Sequence, residues 1–243
     1  MNLNIKHAFS IVSLVLLASC CHIGDSDDNS DDGINTPLVL EVAPLTTGNW
    51  YQPGVLTTWQ WQLEGTLNSS YSVDLYDIDL FDTQAATIEQ LKTDGHKVIC
   101  YFSAGSYENW RDDAADFSAA DYGRNLDGWE GERWLDIRSA NVHSIMAIRL
   151  DLAVTKGCDG VEPDNMDGYS NTSGFSLTAE DQLAYNRYLA NEAHGRGLSI
   201  GLKNDLDQIP QLVEYFDFAV NEQCFEYDEC AALSPFTDAG KAV

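Results

Sequence analysis

The chain has 243 residues, 44% hydrophobic and 11% aromatic, enough for one large domain with a substantial core and unlike a disordered composition. Thirteen Lys and Arg stand against 39 Asp and Glu, a formal net charge of −26. That balance argues against nucleic acid and anionic surfaces and favours a cationic or neutral ligand, the plain alternative being an acidic surface that only keeps the protein soluble.

Residues 1–19 read as a signal peptide. Lys6 and His7 form a short polar start, and "AFSIVSLVLLA" is too short to span a bilayer. "LASC" then places small residues directly before Cys20, the pattern of a bacterial lipoprotein with lipid on the Cys20 thiol. An ordinary secretory signal is the alternative, and either makes the protein an exported one, touching the membrane only through that lipid. Residues 20–36, with "CHIGDSDDNSDDG", read as an acidic, solvated tether. The folded domain is expected over 37–243.

From there strand-like runs alternate with helical patterns, as in βα units around a parallel sheet. "TTWQWQL" (57–63) alternates with period two as a first strand, and "DLYDIDLFD" (74–82) is the second. "ATIEQLKTDG" (86–95) is helical with a Gly stop, and "KVICYFSAG" (97–105) is the third strand. After a long loop, "RWLDIRS" (133–139) reads as a fourth strand and 140–157 as its helix; "DGVEPDN" (159–165) is the fifth strand. Residues 177–197 form a helix with Thr178 and Asp181 in capping-box positions and Gly195 as its stop. "LSIGLKN" (198–204) is the sixth strand; 205–216 turns back, with Pro210 near a helix start. "DFAVNEQC" (217–224) is the seventh, and "GKAV" stands where an eighth would begin. The expectation is a (β/α)8 TIM barrel truncated at the start of its last strand. An open doubly wound sheet is the runner-up, disfavoured because no Gly-rich phosphate loop follows the first strand.

Cysteine usage fits an oxidising compartment. Cys224 and Cys230 are spaced to staple a loop, Cys100 and Cys158 can bridge if their strands are neighbours, and Cys21 is left over. No CxxC pair or partnered His suggests zinc.

Barrel chemistry gathers at the C-terminal strand ends. Those positions collect Asp77 and Asp79; Tyr101 and Ser103, then Tyr107 and Trp110; Asp136; Glu162, Asp164, Asn165 and Asp167; Lys203 and Asn204; and Glu222, with Tyr227 beyond. Aromatic faces with carboxylates and amides suit sugars, and glycoside hydrolysis needs two carboxyl groups about one bond. The rim is poor in the cations that phosphoryl transfer needs, and no GxSxG elbow is present. Asp159, Glu162, Asp164 and Asp167 are oxygen donors for Ca²⁺ in principle, but lack the EF-hand spacing. On spacing alone, Asp79 and Asp136 compete with Asp164 and Glu222 for the catalytic roles.

The blocks "YDIDLFDT", "GHKVICYFSAGSYENWR", "RWLDIRS", "KGCDGVEPDNMDGY" and "NEQCFEYDEC" together resemble the endo-α-1,4-polygalactosaminidase family of glycoside hydrolases, from about Trp59 onward. The resemblance implies a barrel that cleaves within α-1,4-linked galactosamine-rich polysaccharide. It places the catalytic acids on Asp164 and Glu222; we assign Asp164 as nucleophile and Glu222 as general acid/base, with the roles exchangeable. The substrate is expected to be a cationic or partly acetylated galactosamine polymer, with no cofactor, no metal and a monomeric protein. Asp77, Asp79, Asp136 and Glu162 are expected to pair with the sugar ammonium, against a structural role at strand ends. One of Trp59 and Trp61 is expected in the core or cleft floor. Lys203 is expected to bond an acid such as Asp164, or else to be solvated. His96, His143 and His194 are expected at the surface. A carbohydrate-binding surface lipoprotein without catalysis is the competing reading.

Overall fold

The computed structural model describes residues 42–243; the signal peptide, the tether, Cys20 and Cys21 lie outside the described residues. In chain order the strands are β1 (Trp59–Gln62), β2 (Leu75–Asp79), β3 (Lys97–Ser103), β4 (Ser106–Glu108), β5 (Tyr122–Asn125), β6 (Glu132–Leu135), β7 (Gly160–Asp164), β8 (Ser199–Lys203) and β9 (Phe218–Val220). The helices are α1 (Ala85–Thr93), α2 (Ala140–Lys156), α3 (Ala179–Gly195) and the short α4 (Ile209–Leu212) and α5 (Ser234–Asp238). Six strands form one parallel sheet in the order β1-β2-β3-β7-β8-β9, the barrel-type arrangement in which helices return the chain between parallel neighbours.

The alternation along each strand divides the interior in two. Tyr76 and Ile78 of β2, Val98, Cys100 and Phe102 of β3, Val161 of β7 and Ile200 and Leu202 of β8 face the helices, packing with Ile88, Leu91, Leu150 and Leu189 in the main core. The residues between them face the other way. Leu75, Ile99, Phe218 and Val220 make a small separate apolar cluster there.

The helices stop and start where their caps dictate. The Thr178 hydroxyl accepts from Asp181 N at 3.1 Å, and the Asp181 carboxylate accepts from Thr178 N at 2.8 Å, closing the box that opens α3. The left-handed glycine beyond α3 is Gly197 (φ 75°), not Gly195, which is still helical. At the start of β7, Asp159 bonds Lys97 Nζ at 3.2 Å and accepts from Val98 N at 3.1 Å, so it pins strand origins. It stands a full strand, roughly 16 Å, from the far end of β7. That separation breaks up the four-acid calcium set.

The expected fourth barrel strand is a correction. β3 pairs directly with β7, with Ser103 opposite Asp164. The "RWLDIRS" segment instead supplies β6, the middle strand of a three-stranded antiparallel sheet, β4-β6-β5. A strand buried on both faces in a parallel sheet is a near-continuous apolar run. This segment carries Arg133, Asp136 and Arg138 and pairs locally with β5 across a turn in which Gly128 and Gly131 take positive φ. The expected eighth strand is represented by single bridges. Ala242 O accepts from Ala219 N at 3.0 Å and Ala242 N donates to Pro53 O at 3.1 Å, so the segment lies between β9 and the approach to β1.

Disulfides join Cys100 to Cys158 and Cys224 to Cys230. The first ties β3 to the lead-in of its neighbour β7. The second closes the loop that follows Glu222.

Candidate active site

Above the inner apolar cluster, the inward residues of neighbouring strands turn polar: Asp77, Tyr101, Glu162 and Lys203, with Asp79, Ser103 and Asp164 at the strand ends. They lie under and beside a cleft of ≈ 840 Å³. Asp164 ends β7 on the cleft floor. Its Oδ1 accepts from Lys203 Nζ at 2.8 Å and from Asn165 N at 2.7 Å; its Oδ2 accepts only from the Tyr101 hydroxyl, at 2.9 Å. Oδ2 is therefore the less committed oxygen. Glu222, past the end of β9, has a side chain 51% exposed and reaches the same lysine, with Oε2 3.5 Å from Lys203 Nζ. Asn204 positions it by accepting from Glu222 N at 3.1 Å.

Lys203 thus sits between the two acids. Contacts of 2.8 and 3.5 Å to one nitrogen place the nearest carboxyl oxygens of Asp164 and Glu222 no more than 6.3 Å apart. Burial works against the Lys203 ammonium, but Asp164, Glu162 and Glu222 outweigh it and hold its pKa above the ordinary lysine value.

The backbone here is strained. Asn165 (φ 60°), Asn204 (φ 52°) and Gln223 (φ 68°) are left-handed, and they directly follow Asp164, Lys203 and Glu222. Such conformations cost ~1 kcal/mol or more outside glycine and persist where the surroundings over-determine them. β3 and β7 also converge tightly: a Cβ on Gly105 would lie 1.7 Å from the Asn165 carbonyl oxygen, so only glycine fits.

Tyr101, Asp164, Asn165, Asp167, Lys203, Asn204 and Glu222 all line the cleft. The other expected contacts are elsewhere. Asp77 and Glu162 are 1% and 0% exposed, beneath the floor, and cannot pair with a sugar ammonium in this conformation. Burial, then the neighbouring Glu162, raises the Asp77 pKa well above the carboxylate range. Burial raises Glu162 to about 7, opposed by Lys203 and a hydrogen bond from Asp77. Asp79 is not in the cleft lining and takes a bidentate pair from Arg111 at 3.0 and 2.7 Å. Asp136 is clamped by Arg138 at 2.8 and 3.0 Å, because the strand carrying it is not part of the barrel wall. Ser103 is buried and accepts from Asn165 Nδ2 at 2.9 Å, bracing the site from behind. Tyr107 stacks on Tyr122 rather than lining the cleft. Trp110 and Tyr227 are exposed and stand outside the cleft lining.

His194 is a further correction: it is 6% exposed, bonds Asp217 at 2.9 Å and stacks on Trp50. The cleft also holds Trp61, the one of the two first-strand indoles expected at the core or cleft floor that reaches it, together with groups that spacing did not single out. Trp61 lines it and donates to Glu162 Oε2 at 3.1 Å, while Trp59, half-exposed, lies outside. Trp129, Arg124 and Glu132 come from the antiparallel sheet and its turn. Gly128 and Gly131 around Trp129 were the readable sign of a hairpin tip.

Paired acids on one lysine in an open cleft at the strand ends, flanked by indoles, define a barrel glycoside hydrolase. The comparisons with known proteins agree. The profile of glycoside-hydrolase family GH114 matches residues 41–243. Among solved structures, Aspergillus fumigatus Ega3, crystallised in complex with galactosamine, is 51% identical, with 81% of this chain and 79% of that chain covered and a TM-score of 0.79. The glycoside hydrolase domain of PelA from Pseudomonas aeruginosa is 14% identical over 76% of this chain and 80% of that one, TM-score 0.58. Eubacterium rectale Amy13B is 10% identical over 80% and 55%, TM-score 0.54. The last two share the fold alone. No curated protein sequence matches. The chain belongs to glycoside-hydrolase family GH114.

Proposed function

We propose that this protein is an endo-acting glycoside hydrolase on α-1,4-linked galactosamine-rich polysaccharide, with Asp164 as nucleophile and Glu222 as general acid/base. The observation that carries the assignment is the shared lysine. It brings two carboxyl groups together in one cleft with their nearest oxygens no more than 6.3 Å apart, whereas inverting enzymes hold the two groups roughly 6.5–9.5 Å apart to admit a water. That spacing favours double displacement. Glu222 protonates the leaving glycosidic oxygen as Asp164 Oδ2 bonds to the anomeric carbon. Glu222 then takes a proton from the incoming water, which attacks the same carbon and releases Asp164 with the starting anomeric configuration. The exposed, lightly bonded Glu222 suits the group that exchanges protons. Asp164, fixed by Lys203, Asn165 and Tyr101, suits the group that must hold position.

The open cleft of ≈ 840 Å³, lined from Trp129 to Glu222, supports endo action on a polymer. Asp127 and Asp167 offer carboxyl groups to a sugar ammonium, Trp61 and Trp129 offer stacking faces, and the galactosamine named with Ega3 supports the choice of sugar. A chain of formal charge −26 also draws a polycation at low salt. The test is reducing-end release from free-amine and fully N-acetylated galactosamine polymers at rising ionic strength. The free-amine polymer is cleaved, and its kcat/KM falls roughly tenfold from 10 to 200 mM salt as the field is screened; any cleavage of the acetylated polymer is insensitive to salt. No cleavage of either polymer sinks the proposal.

A further inference from the structure

The buried acids Asp77 and Glu162 are left without the substrate role that the sequence suggested, and their surroundings indicate another. The Asp77 carboxyl, on β2, lies within hydrogen-bonding reach of Glu162, on β7. Glu162 Oε2 accepts from the Trp61 indole at 3.1 Å, and Glu162 Oε1 lies 3.9 Å from Lys203 Nζ. Among the described residues, Asp77 Oδ1 and Glu162 Oε1 have no hydrogen-bond partner. Two neighbouring buried carboxyls with unfilled oxygens are satisfied by a proton held between them; two bare carboxylates there would repel. The charged groups acting on the pair are Lys203 from β8 and Asp164 from β7.

We propose that Asp77 and Glu162 are a positioning pair that shares one proton, and that the single negative charge left on it is the standing counterion of Lys203 through the catalytic cycle. This rests on the reading of Asp164 as nucleophile. When Asp164 Oδ2 bonds to the anomeric carbon and the leaving oxygen takes its proton from Glu222, the negative charge of Asp164 is consumed in the ester. Lys203, almost wholly buried, keeps the ester's Oδ1 as a neutral acceptor but loses its nearest buried negative charge; the carboxylate newly left on Glu222 stands 3.5 Å away, is half-exposed, and must itself take a proton from the incoming water. A buried cation balanced only by that solvent-facing charge, which is spent again in the second half-reaction, is costly, and it stands beside a sugar carbon that is itself becoming positive. The pair's charge remains, so Lys203 need neither move nor deprotonate between the two half-reactions. Asp77 supplies the proton donor that lets Glu162 stay ionised in a dry site; Trp61 holds the other oxygen.

Isosteric amides separate this from a packing role. Glu162→Gln removes the charge, and kcat falls by at least about tenfold at pH 8 with KM changed less than about twofold. Asp77→Asn keeps an N–H donor toward Glu162 and lowers kcat by less than about threefold, whereas Asp77→Leu, which keeps none, falls as far as Glu162→Gln. Equal losses for the two amide variants, or full activity in Glu162→Gln, overturn the proposal. Carboxyl ¹³C titration of the unmutated protein is independent of how any variant folds. At pH 8 one carboxyl of the pair remains protonated and the other is ionised; both ionised at pH 8 overturns the proposal. Full activity in Asp164→Asn would overturn the site reading as well, and the titration distinguishes that failure from failure of the pair alone.

Discussion

At the scale of single residues, the cleft region stores carboxyl groups that would rather be neutral. Asp205 is the clearest outside the proposed pair. Its Oδ2 accepts from Asn186 at 2.9 Å, its Oδ1 has no hydrogen-bond partner among the described residues, and burial, then Asp167 and Asp207, raise its pKa from 3.8 to about 8. The folded state therefore holds a proton on Asp205 between those values that the unfolded state has released. Stability contributed this way is full below pH 3.8 and is lost as pH rises toward 8. Asp205→Asn keeps the accepting oxygen, removes the titration, and should flatten the fall of Tm across that window; an unchanged Tm–pH slope would show that Asp205 is ionised in the fold. None of this was legible in "KNDLDQ", because burial comes from α3 packing over the segment. Lys203 was different. A lysine at a strand end among acids suggested an acid partner, and it bonds Asp164.

At the scale of elements, the loop after β9 sets where Glu222 stands. Cys224–Cys230 closes it, Cys224 N donates to Asn221 Oδ1 at 3.1 Å, and Gln223 is held at φ 68°. A bridge over so short a loop adds only about 2 kcal/mol, whereas Cys100–Cys158, spanning 58 residues, adds on the order of 4 kcal/mol on the chain-entropy account. The double variant Cys224→Ser/Cys230→Ser should lose about tenfold in kcat through a mispositioned acid, with Tm lowered by only about 4 °C. A large Tm loss with unchanged kcat would make the bridge purely structural. The regular βα units were readable, because each strand's alternation and each helix's cap are local. The "RWLDIRS" strand was assigned to the wrong sheet. Its pattern is that of a strand, but partner choice depends on β5 lying one turn away, which periodicity does not encode. That one displacement removed Asp136 from the rim and brought Trp129 and Arg124 to the cleft.

At the scale of the whole molecule, family membership gives a glycoside hydrolase, and the order of the parallel sheet brings the proposed site acids together. Asp79 and Asp164 were equivalent as letters at strand ends. Arg111 takes Asp79 out of use, while Lys203 joins Asp164 to Glu222. We further propose that the protein is exported and held at the membrane by lipid on Cys20. Cys20→Ala should move the protein from the membrane to the soluble fraction of a bacterial host, and an unchanged distribution would remove the anchor. The most direct test of the account is NMR-followed digestion of a free-amine galactosamine polymer by the intact protein and by Asp164→Asn and Glu222→Gln, each checked for an unchanged Tm. The account predicts that the unaltered protein first releases α-configured reducing ends, and that each variant is slower by at least about a thousandfold. First release of β-configured ends, or near-full activity in either variant, would contradict it.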